Sequence, residues 1–240
     1  MNALRSPLPS GIVRAKAAPV ALAALAATSG CVRKPPDFRE FRRHEPRSIL
    51  VLPPQSQSVT VNAPYAYLST VTMPLAELGY YVIPVGIVDA MLKENGLPTP
   101  GEMWTASPAK LHEVFGADAV LYVKITDWGT KYVVLSSNTV VGAKASLVDT
   151  ATGAELWTGE VHLVQASGGS GNLAVDLVAA AVSQIVNTST DQAHLLSRAA
   201  NFQLFHDKTF GLPLGQRHPD ARKDNRGRQG GETPPPAAGP

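Results

Sequence analysis

Residues 48–52 (Ser-Ile-Leu-Val-Leu) form a continuous apolar run after one serine, and two prolines, Pro53 and Pro54, end it. A short apolar run without alternating polar positions is typical of a β-strand that is buried on both faces. Elements that pack on both sides of a sheet are the mark of an α/β arrangement. This run therefore predicts an α/β fold.

A helix signal follows after a polar loop at residues 55–64. Residues 65–78 place apolar side chains three and four positions apart, which predicts an amphipathic helix. Pro74 lies inside this helix and is expected to kink or split it, because proline lacks the amide of the helical hydrogen bond. Gly79 is placed to end it.

The strand–helix pattern then repeats. Residues 80–83 predict a second short strand, and Pro84 opens a second helix. Residues 97–105 predict an irregular connection rich in proline and glycine. Ser107, followed by a proline, predicts the N-cap of a short helix that runs to Phe115. The pattern of strand, helix, strand, helix and helix indicates an α/β layout with at least partly parallel strands.

The second half is rich in strand signals. Three runs, at residues 119–128, 131–149 and 154–165, predict an antiparallel meander. Gly129 is interpreted as the break between the first two runs, and Asp149 to Gly153 as a hairpin turn. Apolar residues alternate with other residues in the middle run, as one buried face requires: Val141, Ala143, Ala145 and Leu147.

The end of the predicted domain is helical. Residues 167–171 predict a flexible connector, residues 172–187 a helix, and residues 191–200 a further short helix. The predicted fold class is α/β (α+β), with an N-terminal strand-helix-strand-helix unit, a three-stranded antiparallel meander and closing C-terminal helices. A single domain is expected over residues 48–212.

Residues 1–30 have the features of a secretory signal peptide. The apolar stretch at residues 17–27 follows Arg5, Arg14 and Lys16 and is about eleven residues long, whereas a membrane-spanning helix needs roughly 20. The stretch is therefore interpreted as a signal rather than as a permanent membrane span.

The residues that end this stretch resemble a bacterial lipoprotein box. Ser29, Gly30 and Cys31 fit that box, although Thr28 occupies a position where leucine is usual. Cys31 is the only cysteine, so it has no disulfide partner within the chain. We predict lipidation of Cys31, and Val32 after it favours sorting to the outer membrane. The alternative is an ordinary secretory signal with an accidental cysteine.

Basic residues crowd the segment after Cys31. Residues 31–47 are predicted to be a basic tether, which either settles on anionic lipid head groups or is simply solvated. Residues 213–240, basic and rich in proline and glycine, are predicted to be a disordered tail. The net charge of the whole chain is only +2, which gives no case for a nucleic-acid partner.

No reactive constellation is apparent. The histidines lack metal-ligand spacing, the glycine-rich residues 168–171 lack the lysine of a phosphate-binding loop, and no nucleophile motif occurs. Asp118, Asp127 and Asp149 are interpreted as caps at strand ends and turns. The tryptophans are interpreted as packing residues: Trp104, Trp128 and Trp157. The sequence therefore predicts no catalytic residues, cofactor or metal, and no enzyme.

Several runs carry a family resemblance: PRSILVLPP (46–54), TMPLAELGYYVIPV (72–85), SPAKLHEVFGADAVLY (107–122), LVDTATGAELWTG (147–159) and QIVN (184–187). They resemble the bacterial lipoprotein family of the genome-derived Neisseria antigen type, a domain of unknown function. The resemblance covers residues 38–212. It implies a periplasm-facing outer-membrane lipoprotein with a domain similar to the N-terminal domain of the Tol-system propeller protein. The hairpin at residues 147–159 is also similar to that of curli-secretion and penicillin-binding-protein-activator lipoproteins.

The leading hypothesis is a lipid-anchored, non-enzymatic module that binds other envelope proteins in envelope assembly or export. The alternative is a small-ligand-binding auxiliary component of an envelope transport system, which requires a pocket with convergent polar groups. A homodimer formed through an exposed strand is a further expectation. An enzyme ranks third and would need titratable side chains gathered from distant segments.

Overall fold

The structure, a computed structural model, describes residues 36–133, 136–167 and 192–226. Six α-helices lie within these residues: α1 (Arg39–His44), α2 (Ala63–Glu77), α3 (Val85–Glu94), α4 (Pro100–Met103), α5 (Pro108–Phe115) and α6 (Gln192–His206). Six strands form one sheet: β1 (Ser48–Val51), β2 (Gln55–Ser56), β3 (Tyr81–Val82), β4 (Ala119–Val133), β5 (Ser136–Asp149) and β6 (Glu155–Ser167). A short 3-10 helix spans Ala221–Lys223.

Strand β1 is buried on both faces, as its apolar run predicts. Ile49 and Val51 belong to a large apolar cluster that includes side chains of α1, α2 and α6. Leu50 and Leu52 belong to a second cluster, formed with side chains of α3, α4 and α5. Successive side chains of a strand point to opposite faces, so one run of apolar residues supplies both cores.

The sheet joins a parallel part to an antiparallel part, in the order β3-β1-β4-β5-β6. β1 pairs in parallel with β3 and β4, and β4, β5 and β6 form the predicted antiparallel meander. The predicted α/β fold class is therefore confirmed. β2 was missed: it pairs in parallel with β4 further along that strand, but its two polar residues carry no apolar pattern.

Pro74 was predicted to kink or split helix α2, and it does not split it, because the helix is continuous through this residue. The ring removes only the amide that would bond the carbonyl of Thr70. Pro74 and Leu75 are both buried, and their packing holds the helix in place. Gly79 follows with φ +90°, a conformation that favours glycine, and ends the helix as predicted.

The predicted connection at residues 97–105 contains helix α4 instead. Thr99 accepts a hydrogen bond from the Glu102 amide, and the Glu102 carboxylate accepts one from the Thr99 amide. This capping box satisfies two amides at the helix start. The same chemistry supports the predicted start of α5, where the Ser107 hydroxyl accepts a hydrogen bond from the Lys110 amide.

Gly129 does not separate two strands, so its interpretation as a break was wrong. β4 runs through it to Val133, with a register shift between Ile125 and Asp127 and φ +98° at Gly129. The turn after β5 agrees with prediction. The Asp149 carboxylate accepts hydrogen bonds from the amide and hydroxyl of Thr152, both at 2.7 Å.

Helix α6 extends six residues beyond the predicted end at residue 200. It packs beside α2 on the face of the sheet that holds the larger apolar cluster. Ser167, the first residue of the predicted connector at residues 167–171, is the last residue of β6 instead. The rest of that connector and the predicted helix at residues 172–187 lie outside the described residues.

Both predicted flexible segments are folded where the structure describes them, so those predictions were wrong for residues 36–47 and 213–226. Helix α1 lies inside the predicted tether, and its Phe41 and the preceding residue Phe38 are buried in the larger apolar cluster. The predicted tail begins with a packed segment in which Leu214 contacts that cluster and Asp224 is buried. The sequence signal for α1 was the spacing of Phe38 and Phe41, which lie three positions apart.

Candidate interaction surface

The one residue predicted to carry chemistry, Cys31, lies outside the described residues. The histidines contact different partners. His44 Nδ1, for example, lies 3.2 Å from Asp149 Oδ2, and His112 Nδ1 lies 2.9 Å from the Ala117 carbonyl oxygen. Within residues 36–133, 136–167 and 192–226, no three His, Cys, Asp or Glu side chains are grouped closely enough to hold a metal ion.

The predicted aspartate caps have clear partners. Asp118 Oδ2 accepts hydrogen bonds from the amides of Arg47 and Ser48, each at 2.9 Å, and thereby fixes the start of β1. Asp127 lies inside β4 rather than at its end and pairs with Lys131. The hydrogen bond from Lys131 lowers the pKa of the Asp127 carboxyl. These contacts are structural.

The tryptophans pack as predicted. Trp128 and Trp157 are buried. Trp104 lies edge-on to Tyr122, with ring centroids 5.1 Å apart, and donates to the Pro53 carbonyl. None of the three therefore remains as part of an open ligand cage.

A charged cluster joins α1 to residues 207–226. The Arg42 guanidinium lies 3.3 Å from Asp224 Oδ2 and also donates to the Asp224 and Arg226 carbonyl oxygens. Arg226 pairs with the same carboxylate at 2.9 Å. Burial raises the pKa of the Asp224 carboxyl, but hydrogen bonds from Arg226 and the Leu214 amide outweigh it, so the pKa lies below its ordinary value. Sequence reasoning missed this cluster because its members lie at opposite ends of the chain.

A cavity of about 390 Å³ lies next to this cluster. Its walls combine three leucines, Leu78, Leu212 and Leu214, with charged and polar groups from residues 206–226. His206 lines it, and burial lowers the pKa of this histidine although Glu77 opposes the effect. The cavity is large enough for a small ligand.

Helices α2 and α6 expose apolar side chains between two polar contacts. Ser69 Oγ lies 3.0 Å from His194 Nε2, and Glu77 Oε2 lies 3.8 Å from His206 Nε2. Met73 lies on the same helical face as Ser69 and Glu77, one turn from each. Met73 is 59% exposed. We call this region, together with Phe202 described below, the α2–α6 face.

Phe202 completes the α2–α6 face from the other helix. It lies one turn before His206 on α6 and stacks on that ring, with centroids 4.1 Å apart. It is 49% exposed. The two neighbouring helices therefore each expose a large apolar side chain, and exposed apolar surface is a common feature of protein-binding sites.

Among the described residues, no helix combines the length and apolar character that crossing a membrane requires.

The comparisons with known proteins agree with the sequence resemblance. Residues 36–216 match the family model described as "Putative lipoprotein GNA1162-like". The chain is 43% identical over 187 residues to a curated Neisseria meningitidis protein named "Putative lipoprotein NMB1124/NMB1162". That match covers 76% of this chain and 87% of the relative.

A solved structure supports the same assignment. The crystal structure of lipoprotein GNA1162 from Neisseria meningitidis matches with 44% identity and a TM-score of 0.51. The match covers 60% of this chain and 100% of the GNA1162 chain in that crystal structure. A remote likeness, with 14% identity and a TM-score of 0.39, links 68% of this chain to 84% of LpoB from Escherichia coli, and it carries no functional weight. The chain belongs to the GNA1162-like lipoprotein family.

Proposed function

We propose that this protein is an outer-membrane lipoprotein whose periplasmic domain binds other envelope proteins and has no enzymatic activity. Membership of a lipoprotein family supports the anchor, and Cys31 is the residue that we assign to it. The observation that carries the binding role is the α2–α6 face, where Met73 and Phe202 remain exposed. A partner that presents apolar side chains would remove both from water.

The binding role is tested by photocrosslinking in intact cells. A photoreactive amino acid at Phe202 is expected to give a discrete crosslinked product with an envelope protein. The matched control is Val114, which is 45% exposed but lies on α5, a different helix. Equal crosslinking from the two positions, or none from Phe202, would contradict the proposal.

The anchor is tested by the mass of the native N-terminus. Diacylglyceryl-modified Cys31 is the expected result, and Cys31→Ser is expected to release the protein from the membrane fraction. An unmodified thiol or cleavage elsewhere would overturn the assignment. Sorting is tested separately: Val32→Asp is expected to shift the protein from the outer to the inner membrane.

The cavity supports a second candidate function, that of a small-ligand-binding auxiliary component of a transport system. Its volume of about 390 Å³ falls in the range of ligand pockets, and leucines share its wall with Lys208 and Lys223. Native mass spectrometry of the protein purified from its own envelope would detect a retained ligand. Leu212→Trp, which fills the cavity, is expected to remove that ligand. Identical spectra for the two proteins would reject this function.

A further inference from the structure

The charges of the described residues are divided unevenly over the fold. Residues 36–47 and 207–226, which we call the basic surface, carry nine Lys and Arg against six Asp and Glu, a net charge of +3. The remaining described residues carry six Lys and Arg against ten Asp and Glu, a net charge of −4. The small net charge of the chain is therefore the sum of a positive region, the basic surface, and a negative region, the rest of the described domain.

Direct contacts hold the two parts of the basic surface together. Arg47 Nε donates to Gln216 Oε1 at 2.8 Å, and Gln216 Nε2 donates to the Glu45 carbonyl at 3.3 Å. The Arg226 guanidinium lies 5.8 Å from the centroid of the buried Phe38 ring. With the Arg42–Asp224 pair, these contacts make one fixed surface of two segments that the sequence places far apart.

Several cations on this surface are exposed and lack an acidic partner. No carboxylate of the described residues lies within ion-pair distance of Arg47, Lys208, Arg217 or Arg222. Lys223 pairs with Asp220, but its side chain is 82% exposed. The four cations without a described carboxylate partner are therefore available to an external anion.

The chain length outside the described residues ties the basic surface to the proposed anchor. Seven residue steps separate Cys31 from the buried Phe38, and a fully extended chain spans at most about 25 Å over that distance. A lipid on Cys31 therefore keeps α1 close to the bilayer. This step rests on the anchor of the proposed function.

We propose that the basic surface docks on the anionic head groups of a lipid bilayer. The basic surface includes α1, which the anchor keeps close to the bilayer, and its net charge is positive. The rest of the described domain has a negative net charge, so the same lipids repel it. Each Lys or Arg close to an anionic leaflet raises affinity by roughly fivefold. Docking orients the domain, so that faces remote from α1 point away from the membrane.

The test uses the full lipidated protein in two kinds of vesicle, phosphatidylcholine alone and phosphatidylcholine mixed with phosphatidylglycerol. Flotation with the first kind reports the anchor. The rate at which each lysine is acetylated, measured by mass spectrometry, reports docking. Lys208 and Lys223 are expected to react several-fold more slowly on the anionic vesicles, and the difference should vanish at high salt. Lys110 and Lys131 serve as internal controls with unchanged rates.

The two possible failures are distinguishable. A protein that does not float with phosphatidylcholine vesicles contradicts the anchor. A protein that floats, but labels equally on both vesicles, overturns the docking surface and leaves the anchor intact. Inorganic phosphate that protects the same lysines at constant ionic strength would indicate a free-phosphate site and would also overturn the proposal.

Charge reversal provides matched variants. Arg217→Glu with Arg222→Glu is expected to abolish the protection of Lys223. Lys124→Glu with Arg198→Glu changes the same charge at two exposed cations outside the basic surface and should preserve the protection. Lys208→Glu provides a second variant in case Arg217, which lies 5.7 Å from the Tyr81 ring centroid, is needed for folding. Equal loss in variants on and off the surface would contradict the proposal.

Discussion

The guanidinium of Arg42 lies 3.3 Å from the carboxylate of Asp224, although 182 residues separate them along the chain. Both side chains are nearly buried, at 10% and 5% exposure. The pair closes the fold by joining the helix before the first strand to the last described segment. A nearby surface pair, Asp220–Lys223, offers an exposed comparison, with side chains that are 50% and 82% exposed.

Asp224→Asn is expected to lower the free energy of unfolding by about 3 kcal/mol, because it removes the carboxylate at 3.3 Å from the buried Arg42 guanidinium, which lies closer than that of Glu45 at 4.0 Å. Asp220→Asn is expected to change it little, since exposed ion pairs contribute little to stability. Chemical denaturation of both variants checks this. Equal stability of the two would show that the Arg42–Asp224 pair does not close the fold.

Acidification is expected to destabilise the protein through the same carboxylate. The pKa of Asp224 is lower in the folded state than in the unfolded chain, where it is about 3.9. Its contribution is therefore present above about pH 4 and is lost as the pH falls through the folded-state pKa. Unfolding free energies measured along an acid titration should fall less steeply for Asp224→Asn than for the wild type. Parallel curves would contradict this account.

Gly215→Ala is expected to destabilise the protein by about 1–3 kcal/mol, because an added Cβ would lie 2.8 Å from the Gly79 carbonyl oxygen. Gly86→Ala provides the matched control on α3. Apart from its chain neighbours and the adjacent helix backbone, no atom lies within 4 Å of its added Cβ. Alanine also favours a helix over glycine by about 0.5–1 kcal/mol. Thermal unfolding should thus shift in opposite directions. Shifts of the same sign would disprove the close approach.

Thr70→Val is expected to cost about 1–3 kcal/mol, because the buried Asn201 amide donates to the Thr70 hydroxyl at 2.8 Å and would lose that acceptor. Thr70→Ser keeps the hydroxyl and should restore most of the stability. Thr72→Val, on the same helix but only half-buried, is the control for side-chain shape. A Thr70→Val protein as stable as the Thr72→Val protein would exclude a role for this hydrogen bond.

Much of the local structure was predictable because its causes are local. The apolar run at residues 48–52, the Ser107 cap and the Asp149 turn depend on a few neighbouring residues, and all three agree with the structure. The capping box of α4 was equally local and was overlooked. Strand β2 was not predictable, because its two polar residues pair with β4 through backbone groups alone.

The sequence by itself determined the α/β fold class, since a strand of continuous apolar residues must be covered on both faces, and it determined the family. Only the tertiary structure decided that the basic segment before β1 and the basic segment after α6 are one folded surface. Composition alone indicated a flexible tether and a disordered tail. The burial of Phe38 and the ion pair between Arg42 and Asp224 reverse that reading, because they depend on residues that meet only when the chain has folded.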